Sequence, residues 1–231
     1  MTHFWSDPNW WVNALVAIGT LAVAFVALFG DELKRRLFPP KLALDLVSNE
    51  GSRARIRLRD PQTGSERLED ARYYHIGVSN KGSIATDAGV YLILVKQKGA
   101  GEAWYTAWSG KALLSWPQTT MQPFPRSIGR TAINVNLVGL VKEKWLELMV
   151  VMPPNDLPSN SPPDSSAVPG RFRKPVELVV AVQALATEGQ SQLKQFHIAW
   201  DGGWADGDKE ITRHLIIEPA GGDEERGIPG Y

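Results

Sequence analysis

Residues 10–30, WWVNALVAIGTLAVAFVALFG, run through 21 positions without an ionisable side chain. At about 1.5 Å rise per residue a helix of that length covers the roughly 30 Å hydrocarbon core of a bilayer, so the run predicts a transmembrane helix. Asp31 with Arg35 and Glu32 with Arg36 stand four apart, and no breaker precedes Pro39-Pro40, which lets the helix continue to residue 38. Phe4, Trp5, Trp10 and Trp11 flank one end and Phe29 and Phe38 the other, where amphipathic rings favour the headgroup layer. From residue 39 the pattern changes to short runs of period two, bounded by turn signals such as Asp60-Pro61, Asn80-Lys81-Gly82 and Glu188-Gly189. Candidate strands cover 41–48, 53–59, 72–79, 86–97, 130–138, 144–152, 175–186, 192–200 and 209–218. Nine strands at this spacing predict a mainly β domain over 39–218, built as one antiparallel β-sandwich. Alternation is clearest at Val176, Leu178, Val180 and Val182, while 86–97 is apolar on both faces and predicts an interior strand.

Residues 153–174 interrupt this rhythm with six prolines among Ser, Asn and Asp, a composition that cannot bury enough surface to order itself. A long loop inserted in one sandwich is expected there, with a boundary between two domains as the alternative. Residues 1–9 and 219–231 read as a short leading tail and a disordered closing tail.

Charge sets the orientation. The nine residues before the span carry no Lys or Arg, whereas Lys34, Arg35, Arg36 and Lys41 follow it, so the N-terminus is expected outside and the β domain in the cytoplasm. A cleaved signal peptide needs the basic residues on the other side and a shorter apolar core. The same four basic residues are candidates for contact with anionic lipid headgroups. Over the whole chain 25 basic residues balance 25 acidic ones, so no global field points to nucleic acid or to an acidic partner. Cysteine is absent, which removes disulfides, thiolate metal sites and thiol nucleophiles.

The stretch YHIGVSNKGSIATDAGVYLILV, residues 74–95, resembles immunoglobulin-like and CARDB-like bacterial β-domains, where a strand ends in Asn-x-Gly and the next opens with a small residue before an apolar run. FHIAWDGGWADGDKEITRHLIIE resembles the closing strands of uncharacterised bacterial membrane-anchored proteins with one N-terminal helix and such a domain. The resemblance implies an immunoglobulin-like sandwich at the bacterial inner membrane, and it implies no active site.

Candidate chemistry is sparse. Gly99-Ala100-Gly101 lacks the third glycine of a dinucleotide fingerprint, Ser109-Gly110-Lys111 lacks the rest of a phosphate loop, and neither GxSxG nor HExxH occurs. His75, His197 and His214 lie in separate expected strands. The run from Trp200 to Glu210 places Asp201, Asp206 and Asp208 among three glycines, which can fold around a hard cation such as calcium. The same residues are ordinary turn formers, with Trp200 and Trp204 closing the end of the sandwich, and the spacing departs from an EF-hand. Arg53, Arg55, Arg57 and Arg59 recur with period two, opposite Ala54, Ile56 and Leu58, as on a solvated strand face or one that meets an acidic partner or a phosphate surface. Within the span Asn13, Ala17, Thr20, Ala24 and Ala27 share one helical stripe on which a second helix can pack. The expected function is therefore a non-catalytic, membrane-tethered binding or scaffolding module without a cofactor, acting on an unknown protein partner. The alternative is an effector or sensor that works by clustering its transmembrane helix into a homo-oligomer.

Overall fold

The computed structural model describes residues 8–59, 63–99, 103–116, 127–130, 132–151 and 170–220. The tails 1–7 and 221–231 and most of the expected loop 153–174 lie outside the described residues. So do the side chains of residues 31–36, and with them the pairs Asp31–Arg35 and Glu32–Arg36 and the basic side chains of Lys34, Arg35 and Arg36.

Helix α1 (Pro8–Leu37) opens on a proline, whose missing N–H costs nothing in the first turn. Its segment Asn9–Gly30 is long and apolar enough to cross a membrane and is not buried by any of the described residues. Fourteen strands follow among the described residues, all paired antiparallel. They are β1 (Leu42–Leu46), β2 (Ser52–Arg59), β3 (Glu66–Asn80), β4 (Ala85–Thr86), β5 (Gly89–Lys98), β6 (Trp104–Leu113), β7 (Ser127–Ile128), β8 (Ile133–Val141), β9 (Trp145–Leu148), β10 (Arg171–Phe172), β11 (Val176–Ala186), β12 (Gly189–Gln190), β13 (Lys194–Trp200) and β14 (Leu215–Pro219). A short helix α2 (Asp208–Ile211) lies between the last two.

One large sheet runs β1-β3-β8-β9-β10, with β2 also on β3, a second runs β14-β13-β11-β5-β6, with β12 on β11, and β4 pairs with β7 as a small two-stranded sheet. Strand β3 is long enough to take two partners on one edge, β1 along Ile76 to Asn80 and β2 along Glu66 to Tyr73. Inward side chains of both sheets, among them Tyr74, Ile76, Val135 and Leu146 from the first and Leu92, Leu178, Val180 and Phe196 from the second, belong to one hydrophobic core. The sheets also join at one side, where Leu114 bridges Val150 and the Ser115 N–H donates to the Met149 carbonyl at 2.8 Å.

Strand β3 gives the domain a near end, at Asn80 beside the helix exit, and a far end at Glu66, about 45 Å away at roughly 3.3 Å per residue. At the near end Asn80 is buried, and its amide satisfies four backbone groups. Oδ1 accepts from the Lys41 and Gly82 N–H groups, both at 3.0 Å, and Nδ2 donates to the carbonyls of Ser83 and Ile128 at 2.6 and 3.0 Å. The Ser83 N–H in turn donates to the Phe38 carbonyl at 3.1 Å, so the chain leaving α1 is tied down within one residue of the helix end. Toward the far end β8 leaves β3 at Ala71, and the remaining hairpin of β2 and β3 projects as a two-stranded ribbon.

Several elements differ from their expected form. Strand β6 was not anticipated: its ladder with β5 is broken by irregularities at Leu92/Leu94 and Val95/Lys96, which erases a clean period of two. The strand expected at 209–218 starts only at Leu215, because residues Asp208–Ile211 turn as α2. Strand β3 begins six residues before 72, through polar positions that pair with β2 outside the core. Interior strand 86–97 is β5, paired on both sides by β11 and β6, but its start is cut by Asp87 at φ 48, which separates β4. Pro219, expected in a disordered tail, closes β14, and the next N–H, of Ala220, donates to the Gln195 carbonyl at 3.0 Å.

Candidate functional site

By register the arginine stripe of β2 lies on the same face of the sheet as the core residues of β3, with Arg53 opposite Arg72 and Arg55 opposite Asp70. Ala54, Ile56 and Leu58 take the other face and are half-buried, while the four arginines are exposed, as on the expected solvated face. The reason is the length of β3: beyond Ala71 the ribbon outruns the second sheet, and a face without a covering layer is populated by charge. Arg55 meets Asp70 at 3.3 Å and Arg57 meets Glu66 at 3.5 Å, with both arginines more than two thirds exposed. Pairs so exposed contribute little to stability and leave the guanidinium groups free to exchange partners.

Arg72 is the exception, only 1 % exposed. It follows the parity of Tyr74, Ile76 and Val78, so its backbone aims it inward at the point where the core ends. Nη1 donates to the Glu50 carbonyl at 3.0 Å and to Asp208 Oδ1 at 2.8 Å, and Nη2 donates to the Asp206 carbonyl at 2.7 Å. The guanidinium carbon lies 5.9 Å from the centre of the Trp204 ring. Nε has no hydrogen-bond partner among the described residues. Beside it burial pushes the Tyr74 hydroxyl up to about 12, against the opposing pull of the Arg72 charge.

The Trp200 to Asp208 loop folds down over this arginine. Asp208 also accepts from Arg53 Nε at 2.8 Å, and the hydrogen bonds from Arg53 and Arg72 hold its carboxyl below the usual range. Asp206 accepts from Trp204 Nε1 at 2.8 Å and Lys142 Nζ at 3.2 Å, which lower it likewise and raise Lys142. Asp201 accepts from the Gly203 N–H at 2.7 Å and pairs with His214 Nδ1 at 3.0 Å; burial raises its pKa, but these bonds leave it depressed. A Cβ at Gly203 would lie 2.3 Å from His214 Nδ1, so a larger residue there would displace the His214 side chain from Asp201. The three carboxylates proposed as calcium ligands are thus each engaged by a different basic partner. Among the described residues no group of three or more His, Asp or Glu converges as a ligand set. Trp200 is buried in the core and Trp204 packs against its edge.

Between ribbon and loop a cleft of about 520 Å³ is lined by Arg53, Arg55, Asp70, Arg72, Trp204 and Asp206. Its walls mix three arginines, two aspartates and a tryptophan, and each arginine is already paired with a carboxylate. No protein-family model, curated protein or solved structure matches the chain. The site must therefore be read from its own geometry.

The histidines go to three different places. His75 sits on the outer face of the first sheet, where burial lowers its pKa. His197 lies on the outer face of the second sheet, 3.0 Å from Glu177, with the Trp104 ring edge-on at 6.2 Å. Lys98, at 2.9 Å, is the main cause of the lowered Glu177 pKa. His214 caps the loop at Asp201. The helix stripe Asn13, Ala17, Thr20, Ala24 and Ala27 is exposed along its length, and the Thr20 hydroxyl donates to its own helix, to the Val16 carbonyl at 2.8 Å. Lys41 is exposed at the helix exit. Arg72, Asn80 and Lys142 were not singled out from sequence. Arg72 had one available signal, a charge at a core-parity position of a β-strand.

Proposed function

We propose that this chain is a non-catalytic, membrane-anchored binding module. Helix α1 spans the bacterial inner membrane, and the β domain is an immunoglobulin-like sandwich on the cytoplasmic side that presents its β2–β3 ribbon to an acidic protein partner. The shared core of two antiparallel sheets supports the sandwich, and the resemblance of residues 74–95 supports its immunoglobulin-like type. The observation that carries the reading is the placing of the arginine ribbon at the end of β3 opposite the helix exit, where a tether holds it out toward solvent. A surface for lipid belongs beside the anchor, whereas charge displayed about 45 Å away suits a soluble partner. The second reading, action through helix clustering, is favoured by one fact: among the described residues nothing buries the apolar segment of α1.

The test is a photo-crosslinking residue at Leu68, an exposed ribbon position, in the membrane-inserted full chain. A discrete protein adduct is expected, lost when Arg55 and Arg57 are both changed to Glu and retained with the same changes at Lys194 and Arg213. Absence of any adduct, or indifference to the ribbon charges, sinks the binding reading.

A further inference from the structure

The near end of the domain has a chemistry of its own. Helix α1 holds 30 residues, about 45 Å at 1.5 Å each, which matches a bilayer with both headgroup layers. Phe38 therefore lies at the headgroup–water boundary. Through Ser83 and Asn80 the turn 80–84 is hydrogen-bonded to this point, and Gly82 packs so tightly that a Cβ there would stand 2.1 Å from the Pro39 carbonyl oxygen. The joint cannot swing freely, and whatever the turn displays is held at the membrane surface.

What it displays is apolar and basic. Ile84 is 58 % exposed and Phe38 63 %, next to one another across the Ser83–Phe38 bond. Lys41 and Lys81 are exposed on the same turn, joined by the Lys81 N–H donating to the Lys41 carbonyl at 3.1 Å. Arg130 is exposed two residues after Ile128, the strand residue whose carbonyl Asn80 holds. Two carboxylates of the neighbouring turns keep their charge on neutral donors: Glu188 accepts from the backbone N–H and the hydroxyl of Thr86, and Asp87 from the Thr187 hydroxyl. An exposed isoleucine on a turn that carries Lys81, with Lys41 and Arg130 on segments hydrogen-bonded to that turn, fits an interface of lipid headgroups.

We propose that the 80–84 turn is a membrane-docking element, in which Ile84 inserts at headgroup depth beside Phe38 while Lys41, Lys81 and Arg130 bind anionic headgroups and fix the orientation of the β domain. This rests on α1 spanning the bilayer, and the test separates the two. The natural chain has no cysteine, so single cysteines at Phe25, Ile84 or Leu68 can carry a fluorophore in the full chain, placed in nanodiscs of phosphatidylcholine with or without phosphatidylglycerol. Spin-labelled lipids then report depth. The label at Phe25 is expected to be quenched by acyl-chain probes, the label at Ile84 by headgroup probes only, and the label at Leu68 by neither. Phosphatidylglycerol should increase the quenching at Ile84, and Lys81→Gln and Arg130→Gln should each lower the docked-to-free ratio about fivefold. A label at Ile84 no more quenched than one at Leu68, with Phe25 quenched, overturns the docking turn and leaves the anchor intact. An unquenched Phe25 overturns both. Quenching at Ile84 that ignores phosphatidylglycerol and both substitutions overturns the assignment to anionic headgroups.

Discussion

Arg53 and Arg72 donate to the same oxygen of Asp208 at the same distance, 2.8 Å, yet their environments set them far apart in consequence. Arg53 is 60 % exposed, so water replaces what its loss removes, and Arg53→Lys is expected to change stability by no more than about 0.5 kcal/mol. Arg72 spreads three hydrogen bonds over a carboxylate and two carbonyls, a fork that a lysine ammonium cannot reproduce from one point. Arg72→Lys leaves a carbonyl of Glu50 or Asp206 without its donor and a charge without its spacing, a loss of about 2–4 kcal/mol. Urea unfolding of the chain in micelles, followed by tryptophan fluorescence, measures both. Equal small effects would mean that the loop closes without the arginine.

At the scale of elements the decisive piece is the turn after β3. Gly82→Ala must push the Pro39 backbone away, because no flexible side chain stands in the path to yield. Core strands are untouched, so the expected result is an intact β domain with a loosened joint. Hydrogen exchange should quicken at the N–H groups of Lys41, Gly82 and Ser83 while those of β11 stay protected, and unchanged exchange at the joint would refute the clamp. The joint also shows how far sequence reading reached. Helix α1 was legible as an unbroken apolar run, and strands such as β11 because burial imposes a period, with Val176, Leu178, Val180 and Val182 all facing the core. The turn at Asn80-Lys81-Gly82 was legible as a turn but not as a clamp, since the carbonyls of Phe38 and Ile128 come to it from distant positions. Strand β6 was missed because its bulged ladder shifts side chains off strict alternation. The arginine stripe was legible as a stripe, but which face it takes depends on where the second sheet ends, a tertiary fact. The three aspartates attracted a metal reading for the same reason: their basic partners Arg53, Arg72, Lys142 and His214 come from elsewhere in the chain.

For the whole molecule, net charge is zero, so orientation in the membrane follows from where the charges lie and not from their sum. Lys34, Arg35, Arg36 and Lys41 follow the apolar segment closely in sequence, and folding adds Lys81 and Arg130 to the same end, whereas no Lys or Arg precedes Pro8. Moving that cluster across the bilayer during insertion opposes the positive-inside bias, which counts such short flanks and gives little weight to Asp31 and Glu32. The β domain is therefore expected in the cytoplasm, with the ribbon pointing away from the membrane. In Leu68→Cys the added thiol is the only one in the chain, at an exposed far-end position. A membrane-impermeant maleimide should label it in inverted inner-membrane vesicles and leave it unlabelled in spheroplasts until detergent is added. Labelling in intact spheroplasts reverses the topology, and with it any partner in the cytoplasm. The docking turn would survive that reversal, since it needs only a lipid surface at the helix exit, so the two claims stand or fall on separate measurements.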